Sequence, residues 1–338
     1  MVCCRSWHCR LVARILAVTT AGIAFLLALV AAASVRAADG DFATWLQGLR
    51  SEALSHGISP TTFDSAFANV EPIPRVIELD RKQPEFTLSF AEYLAHVMPD
   101  SRVEHGRELL VENRALLDQV AATYGVQPRF VVALWGVESD FGRLTGDYPI
   151  IPALATLAYD GRRSSYFRGE LFDALRILEL GYIDLDSMRG SWAGAMGQNQ
   201  FMPSAYLRYA VDYTGKGRRD IWRDRGDVFA STANYLHHLG WRNDETWGRA
   251  VRLPRGFDPS LANLAIRKPL SEWAALGVRS ANGGPLPRRP LEASLALPAG
   301  ANGPAYLVYG NFRALLGWNR SIFFATAVGL LADRVDGR

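Results

Sequence analysis

Pro128-Arg-Phe-Val-Val-Ala-Leu-Trp-Gly-Val-Glu138-Ser-Asp-Phe-Gly142 is the stretch on which the reading of the whole chain turns. Proline at 128 suits the first turn of a helix, where the missing N–H has no intrahelical acceptor to lose. From Phe130 to Val137 every residue is apolar or glycine, so the helix has no polar face and is expected to be buried on nearly every side. Glu138 ends that buried helix, just before a glycine that can turn the chain. Burial disfavours the charged carboxylate, which predicts a carboxyl able to hold and deliver a proton near neutral pH. A helix-end glutamate paired with an arginine accounts for the same residues equally well. Asp140 is the nearest second carboxylate, but positions two apart on a helix face different ways. The local spacing therefore does not supply the two flanking carboxyls of an ordinary glycoside hydrolase.

Outward from this helix the chain is mostly helical in pattern. Between Asp41 and Tyr124 apolar residues recur at helical spacing, as in Phe42, Trp45, Leu46 and Leu49 and again in Leu109, Leu110, Leu116 and Leu117. Pro72-Ile-Pro74 interrupts this lobe, and an extended stretch is expected from there to Phe86. Further helices are expected at Arg168–Leu180, Pro203–Tyr213 and Asp227–Leu239, the last with an aspartate cap at its start and Gly240 at its end. After Trp247 the text turns to short β-rich runs, beginning at Ala250, Ala293 and Ala305, between Gly, Pro and Asn clusters. Phe312 to Val335 is helical again and is expected to pack back on the central lobe.

The N-terminus carries Arg5, Arg10 and Arg14, then an apolar run from Ile15 to Ala33, then Val35-Arg-Ala37 with small residues where a signal peptidase reads. This is the pattern of a secretory signal peptide cleaved after Ala37. The rival is a membrane anchor, since the run is nearly long enough to span a bilayer. Cys3, Cys4 and Cys9 all precede the run, so the mature chain has no thiol, disulfide or lipid-bearing cysteine. Cleavage removes four arginines and no acid, which takes the formal charge from +3 to −1. The basic whole-chain balance thus belongs to export and gives no support to nucleic-acid binding.

A second constellation, Gly190-Ser-Trp-Ala-Gly-Ala-Met-Gly-Gln-Asn-Gln-Phe-Met-Pro203, joins small residues to polar ones. Its glycines and alanines permit close approach of backbone or ligand, and Ser191, Gln198, Asn199 and Gln200 offer hydrogen bonds suited to sugar hydroxyls and N-acetyl groups. Tight packing of a core loop explains the small residues as well. Tyr93, Tyr166, Phe201, Tyr235, Trp318 and Phe324 recur near these motifs; rings of this kind cover sugar faces, and they also fill cores.

Taken together, Val137-Glu-Ser-Asp-Phe-Gly142, Arg162-Arg-Ser-Ser-Tyr-Phe167, Gly190-Ser-Trp-Ala-Gly-Ala-Met-Gly197, Gln200-Phe-Met-Pro203, Ala233-Asn-Tyr-Leu236 and Leu331-Ala-Asp-Arg334 resemble the membrane-bound lytic murein transglycosylase B family. The similarity runs in order along nearly the whole mature chain. It implies a mainly α (α+β) protein with a lysozyme-like catalytic core, a helical N-terminal lobe and a small inserted β-containing subdomain. The expected boundaries are 1–37 for the signal peptide, 38–125 for the helical lobe, 126–246 for the core, 247–310 for the β subdomain and 311–338 for the helical return. By the same resemblance Glu138 is the single acid and then base. The bond cut is that between N-acetylmuramic acid and N-acetylglucosamine, and the product ends in a 1,6-anhydro ring. Ser191 and Gln200 are implied as polar sugar contacts, with Tyr93, Tyr166, Phe201, Tyr235 and Asn319 lining the groove. Asn199, Ala205 and Phe324 depart from the family pattern, which has proline or glycine, serine and tyrosine there. Phe324 is expected to keep an aromatic platform without the hydroxyl.

Asp212-Tyr-Thr-Gly-Lys-Gly-Arg-Arg-Asp220 resembles a loop that binds calcium in some members of the family, with Asp212, Thr214, Asp220 and Asp227 as the candidate ligands. Lys216 stands where an oxygen ligand belongs and Arg223 where the closing acid belongs, which favours a metal-free loop and no cofactor. The expected partners are peptidoglycan glycan strands, with wall-synthesis or division proteins unspecified, and the expected state is a periplasmic monomer. A hydrolytic muramidase and a non-catalytic peptidoglycan-binding scaffold are the alternatives. The chain ends shortly after Leu331-Ala-Asp-Arg334, so no separate wall-anchoring module is expected beyond it.

Overall fold

The computed structural model describes residues 42–82 and 88–337. The expected signal peptide and the three cysteines lie outside the described residues. The chain divides after His56 into two compact units. The first contains α1 (Phe42–Ser55), on which Phe42 stacks on Trp45 with ring centroids 5.3 Å apart.

The second unit opens with α2 (Pro60–Phe67), capped by the Ser59 hydroxyl, which accepts the Thr62 N–H at 3.2 Å. α3 (Pro74–Arg81) lies where the two prolines predicted an extended stretch. Pro74 opens this helix instead of breaking it, because at the first position it forfeits no hydrogen bond. α4 (Phe90–Val97) begins with a reciprocal capping box between Ser89 and Glu92. α5 (Asp100–Glu112) and α6 (Arg114–Tyr124) follow, and Gly125, at φ 71°, ends α6 in the left-handed conformation.

α7 (Pro128–Ser139) is the buried helix that the apolar run predicts: Arg129 to Gly136 are all buried. Each large aliphatic or aromatic side chain removed from water there contributes roughly 1.5–3 kcal/mol. The one charged member, Arg129, is held by Asp333 and by the Thr246 hydroxyl at 3.0 Å. Asp333 also accepts the Trp247 indole N–H at 2.9 Å. The Leu331-Ala-Asp-Arg334 string thus ties the last helix to the first turn of α7 and to the entry of the β region. A β-carbon on Gly329 would lie 2.2 Å from the Trp247 ring, so glycine there allows this approach.

A two-stranded ladder of β1 (Tyr148–Pro149) and β2 (Arg189–Gly190) brackets α8 (Ile150–Tyr159) and α9 (Ser164–Glu179). α10 (Pro203–Tyr209) stops four residues before the expected Tyr213, because Ala210 turns to extended backbone with ψ 141°. α11 (Arg225–His238) is capped by Asp224, which accepts the Gly226 and Asp227 N–H groups. The expected cap, Asp227, lies a turn further on, is fully buried and serves the preceding loop instead.

The β region is a five-stranded antiparallel sheet in the order β4 (Lys268–Pro269), β6 (Glu292–Ala296), β7 (Ala305–Val308), β3 (Gly248–Arg252), β5 (Arg279–Ser280). Its own apolar cluster gathers Trp273 and Leu270 of α12 (Leu270–Ala275) with Leu295 and Leu307. The chain returns through α13 (Gly310–Trp318) and α14 (Ile322–Val335). These are two helices where one helical stretch was expected, bent by 119° at the break. The break follows from local hydrogen bonding: Asn319 is extended, its Oδ1 accepts the Ser321 N–H, and Ser321 caps α14. Among the described residues no single helix is long and apolar enough to cross a membrane. The described residues are thus mainly helical with a small sheet.

Candidate active site

Glu138 lies on the last turn of α7, half-buried. Beyond it three residues in succession have positive φ: Asp140 at 50°, Phe141 at 60° and Gly142 at 83°. Two of them are not glycine, so the turn is costly unless its surroundings fix it. Asp140 is fixed by charge, with Arg102 at 2.9 Å and Arg143 at 2.6 Å. Burial works to raise its carboxyl, but the hydrogen bond and charge of Arg102, then of Arg143, overcome this and hold it below the ordinary carboxylate value. Phe141 is fixed by packing. Its ring meets Trp135 edge-on at 5.5 Å and fits against Gly136 and Gly106, at each of which a β-carbon would crowd it. The turn therefore sets the exit from α7 just beyond Glu138.

Glu138 Oε1 accepts the Trp318 indole N–H at 2.6 Å. Trp318 stacks on Tyr235 at 4.9 Å, Tyr235 stacks on Tyr209 at 4.1 Å, and Phe201 meets both Trp318 and Tyr235. Glu138 thus adjoins a continuous aromatic wall assembled from α10, α11, the end of α13 and the 190–203 segment. The motifs single out Phe201 and Tyr235; both pack on Trp318, but Phe201 is buried behind the wall and does not offer the groove face expected of it. Trp318 was only one of several aromatics in the sequence, and Tyr209 carried no signal at all.

The Gly190–Pro203 segment docks on α7 through Gln198. Its Oε1 accepts the Trp135 indole N–H at 2.8 Å, its backbone carbonyl accepts the Ser139 hydroxyl at 2.7 Å, and its Nε2 donates to the Trp222 carbonyl at 2.7 Å. Asn199 is buried and donates to the Val228 carbonyl and the Thr232 hydroxyl. These two amides hold the segment in place and are spent on protein partners, where the sequence suggested sugar contacts. Ser191 Oγ accepts the Ala195 N–H at 3.0 Å, and Gln200, at φ 49°, donates to the Thr145 and Gly197 carbonyls. Among the described residues no group donates to the Gln200 Oε1.

Tyr93 packs on Phe323 at 5.7 Å. Asn319 is exposed beside Trp318. Tyr166 is half-exposed, and desolvation, then the charge of Glu170, push its phenol up to about 12. Phe324 lies 5% exposed in the core, so the platform expected of it is not offered; the neighbouring Phe323 is the less buried ring. Sequence reasoning passed over Glu170, a buried carboxyl that accepts both the N–H and the hydroxyl of Ser204 at 2.9 and 2.7 Å. Burial raises its pKa more than these hydrogen bonds lower it.

The Asp212–Asp227 loop is closed by its own donors. Asp212 accepts the Lys216 and Gly217 N–H groups at 2.9 and 2.7 Å, and Asp220 accepts those of Trp222 and Arg223 at 3.1 and 2.9 Å. Asp227 accepts the N–H groups of Tyr213, Thr214 and Asp220 at 2.8, 3.2 and 2.7 Å. The Thr214 hydroxyl and the Lys216 ammonium both donate to Asp224, at 2.9 and 2.6 Å.

A lysozyme-like core with one carboxyl at the end of its buried helix and an aromatic wall beside it defines a class of glycan-binding architecture. Within that class the chain belongs to the transglycosylase SLT domain family, whose model matches residues 41–333. It is 34% identical over 245 residues to the membrane-bound lytic murein transglycosylase B of Escherichia coli K12, covering 71% of this chain and 65% of that protein. The chain thus spans just under two thirds of the length of that relative. The structure of SltB3 from Pseudomonas aeruginosa in complex with NAG-NAM-pentapeptide superposes with a TM-score of 0.86 at 50% identity, covering 88% of this chain and 80% of that one. Escherichia coli Slt35 in complex with calcium gives a TM-score of 0.73 at 30% identity, covering 86% and 92%. The resemblance read from the motifs is thereby shown.

Proposed function

We propose that the chain is a peptidoglycan lytic transglycosylase that cleaves the β-1,4 bond between N-acetylmuramic acid and N-acetylglucosamine without water, acting on glycan strands in the periplasm after loss of residues 1–37. The observation that carries the reading is the single carboxyl at the end of α7. Glu138 is oriented by Trp318, while its neighbour Asp140 is held ionised between two arginines. A retaining or inverting hydrolase needs a second carboxyl across the bond, and Asp140 is committed elsewhere. The relative SltB3 is known in complex with both NAG-NAM-pentapeptide and NAG-anhNAM-pentapeptide, which supports glycan substrate and anhydro product alike.

In this mechanism the Glu138 carboxyl gives its proton to the glycosidic oxygen as the bond to C1 breaks, so that N-acetylglucosamine leaves as an alcohol. The C6 hydroxyl of the muramoyl residue then closes on C1. Its proton passes to the Glu138 carboxylate, which is returned to its starting state. One carboxyl acts twice, and the substrate supplies the nucleophile. The rings of Tyr235, Trp318 and Tyr209 form one side of the groove with the buried Phe201 packed behind them, Tyr93, Tyr166 and Asn319 extend it, and Ser191 and Gln200 offer polar contacts to the sugars.

The test is the mass of fragments released from purified peptidoglycan. The protein is expected to release anhydromuropeptides, and Glu138→Gln at least about 1,000-fold less, the upper part of the range for general acid catalysis. Reducing-end products would establish hydrolysis. Equal release by the Glu138→Gln variant would remove Glu138 from the chemistry, and no release by either protein would leave a wall-binding scaffold.

A further inference from the structure

The loop between α10 and α11 carries its own cation. Calcium needs six to eight oxygen ligands, and the oxygens of Asp212, Thr214, Asp220 and Asp227 are already engaged by seven backbone N–H groups and by Asp224. The position that would add an oxygen is Lys216, whose ammonium reaches Asp224 at 2.6 Å and also feels the charges of Asp227 and Asp220. Arg218 stands 3.7 Å from Asp220 on the other side of the same loop. This donor set does not fit a divalent ion, although the relative Slt35 is known in complex with calcium.

We propose that the Lys216 ammonium is the resident counter-ion of this loop and takes the place a divalent metal would have, so that the loop connecting two helices of the aromatic wall is closed without calcium. The acids gathered at the start of α11 repel one another, and a compact charge on a flexible stem relieves the repulsion without any coordination geometry. Because the side chain is 64% exposed, solvent screens the interaction and salt can partly replace it.

Thermal unfolding of the whole mature chain tests this without reference to wall cleavage. In the wild-type protein, calcium on the order of millimolar and an excess of chelator are expected to give the same Tm within about 1 °C, since a ligand that does not bind the native state cannot stabilise it. Lys216→Met is expected to unfold about 1–3 °C lower at low ionic strength and to regain most of that difference at roughly 1 M NaCl. Lys216→Arg, which keeps the charge, is expected to stay within about 1 °C of wild type. A calcium-dependent rise in the wild-type Tm would overturn the proposal, and so would a Lys216→Met protein as stable as wild type at low salt.

Discussion

Trp318 does two things at Glu138: its ring stacks on Tyr235 and its N–H donates to Oε1 over 2.6 Å. The two contributions separate in a Trp318→Phe variant, which keeps a ring and loses the donor. The bond strengthens as Glu138 gives up its proton in the transition state, and a hydrogen bond to a charged group contributes about 1.5–3 kcal/mol. The expected outcome is a fall in kcat of roughly 10- to 100-fold with KM changed by less than about threefold, because the lost bond orients the acid rather than holding sugar. Steady-state rates on a soluble glycan-strand substrate measure it. A rise in KM at constant kcat would mean that Trp318 serves the substrate and that its bond to Glu138 is incidental. This contact also shows where sequence reading stops. Glu138 stands out as an acid ending an apolar helix, a signal contained in a few consecutive residues. Its donor lies 180 positions away, and the bend that delivers it depends on Asn319 and Ser321 closing a local turn. No periodicity announces such a bend. Gln198 and Asn199 mislead for a related reason: an amide that hydrogen-bonds protein and one that hydrogen-bonds sugar are the same residue in the text.

At the scale of the element, α7 and its left-handed exit behave as one unit. The apolar run made the helix legible to within a residue of its ends, since burial on all sides leaves only one kind of pattern. The exit was legible only at Gly142; Asp140 and Phe141 adopt positive φ because Arg102, Trp135, Gly136 and Gly106 hold them there. Gly136→Ala tests whether that packing sets the turn. Alanine favours a helix over glycine by about 1 kcal/mol, but its β-carbon would stand 2.8 Å from two atoms of the Phe141 ring, beneath other buried side chains. Overpacking of this kind costs about 1–3 kcal/mol. The clash outweighs the propensity, so the urea midpoint is expected to fall, and wall cleavage to fall further than stability alone explains because the turn after Glu138 shifts. A variant as stable and active as wild type would show that Phe141 moves aside without disturbing the acid. The same reasoning explains the misplaced cap of α11: Asp224 and Asp227 are both plausible caps by residue type, and only the loop's three N–H donors, which need an acceptor, assign the buried one.

Across the whole molecule, buried carboxyls pull the pH dependence of stability in opposite directions. Asp80 is buried and would titrate high, but Arg162 and Arg163 hold it below its ordinary value of 3.8; Arg102 does the same for Asp140, and Lys216 for Asp224. Below about 3.8 the unfolded chain takes up protons that these groups refuse in the native state, so their contribution is present above that pH and is lost as pH falls through their folded values. Glu170 has the reverse sign. Burial raises it above its ordinary 4.5 despite the Ser204 hydrogen bonds, so the native state binds more protons than the unfolded chain just above 4.5. Stability therefore falls as pH rises through that window, with a slope of up to about 1.4 kcal/mol per pH unit for one group, and levels off once the folded value is passed. Glu170→Gln keeps an acceptor for Ser204 and removes the proton. Urea midpoints measured from about pH 3 to 8 are expected to keep the acid-side loss, which belongs to Asp80, Asp140 and Asp224, and to lose the decline above 4.5. If the two proteins decline in parallel above that pH, Glu170 is ionised in the native state at no cost, and its place behind Tyr166 and Ser204 is one of packing alone.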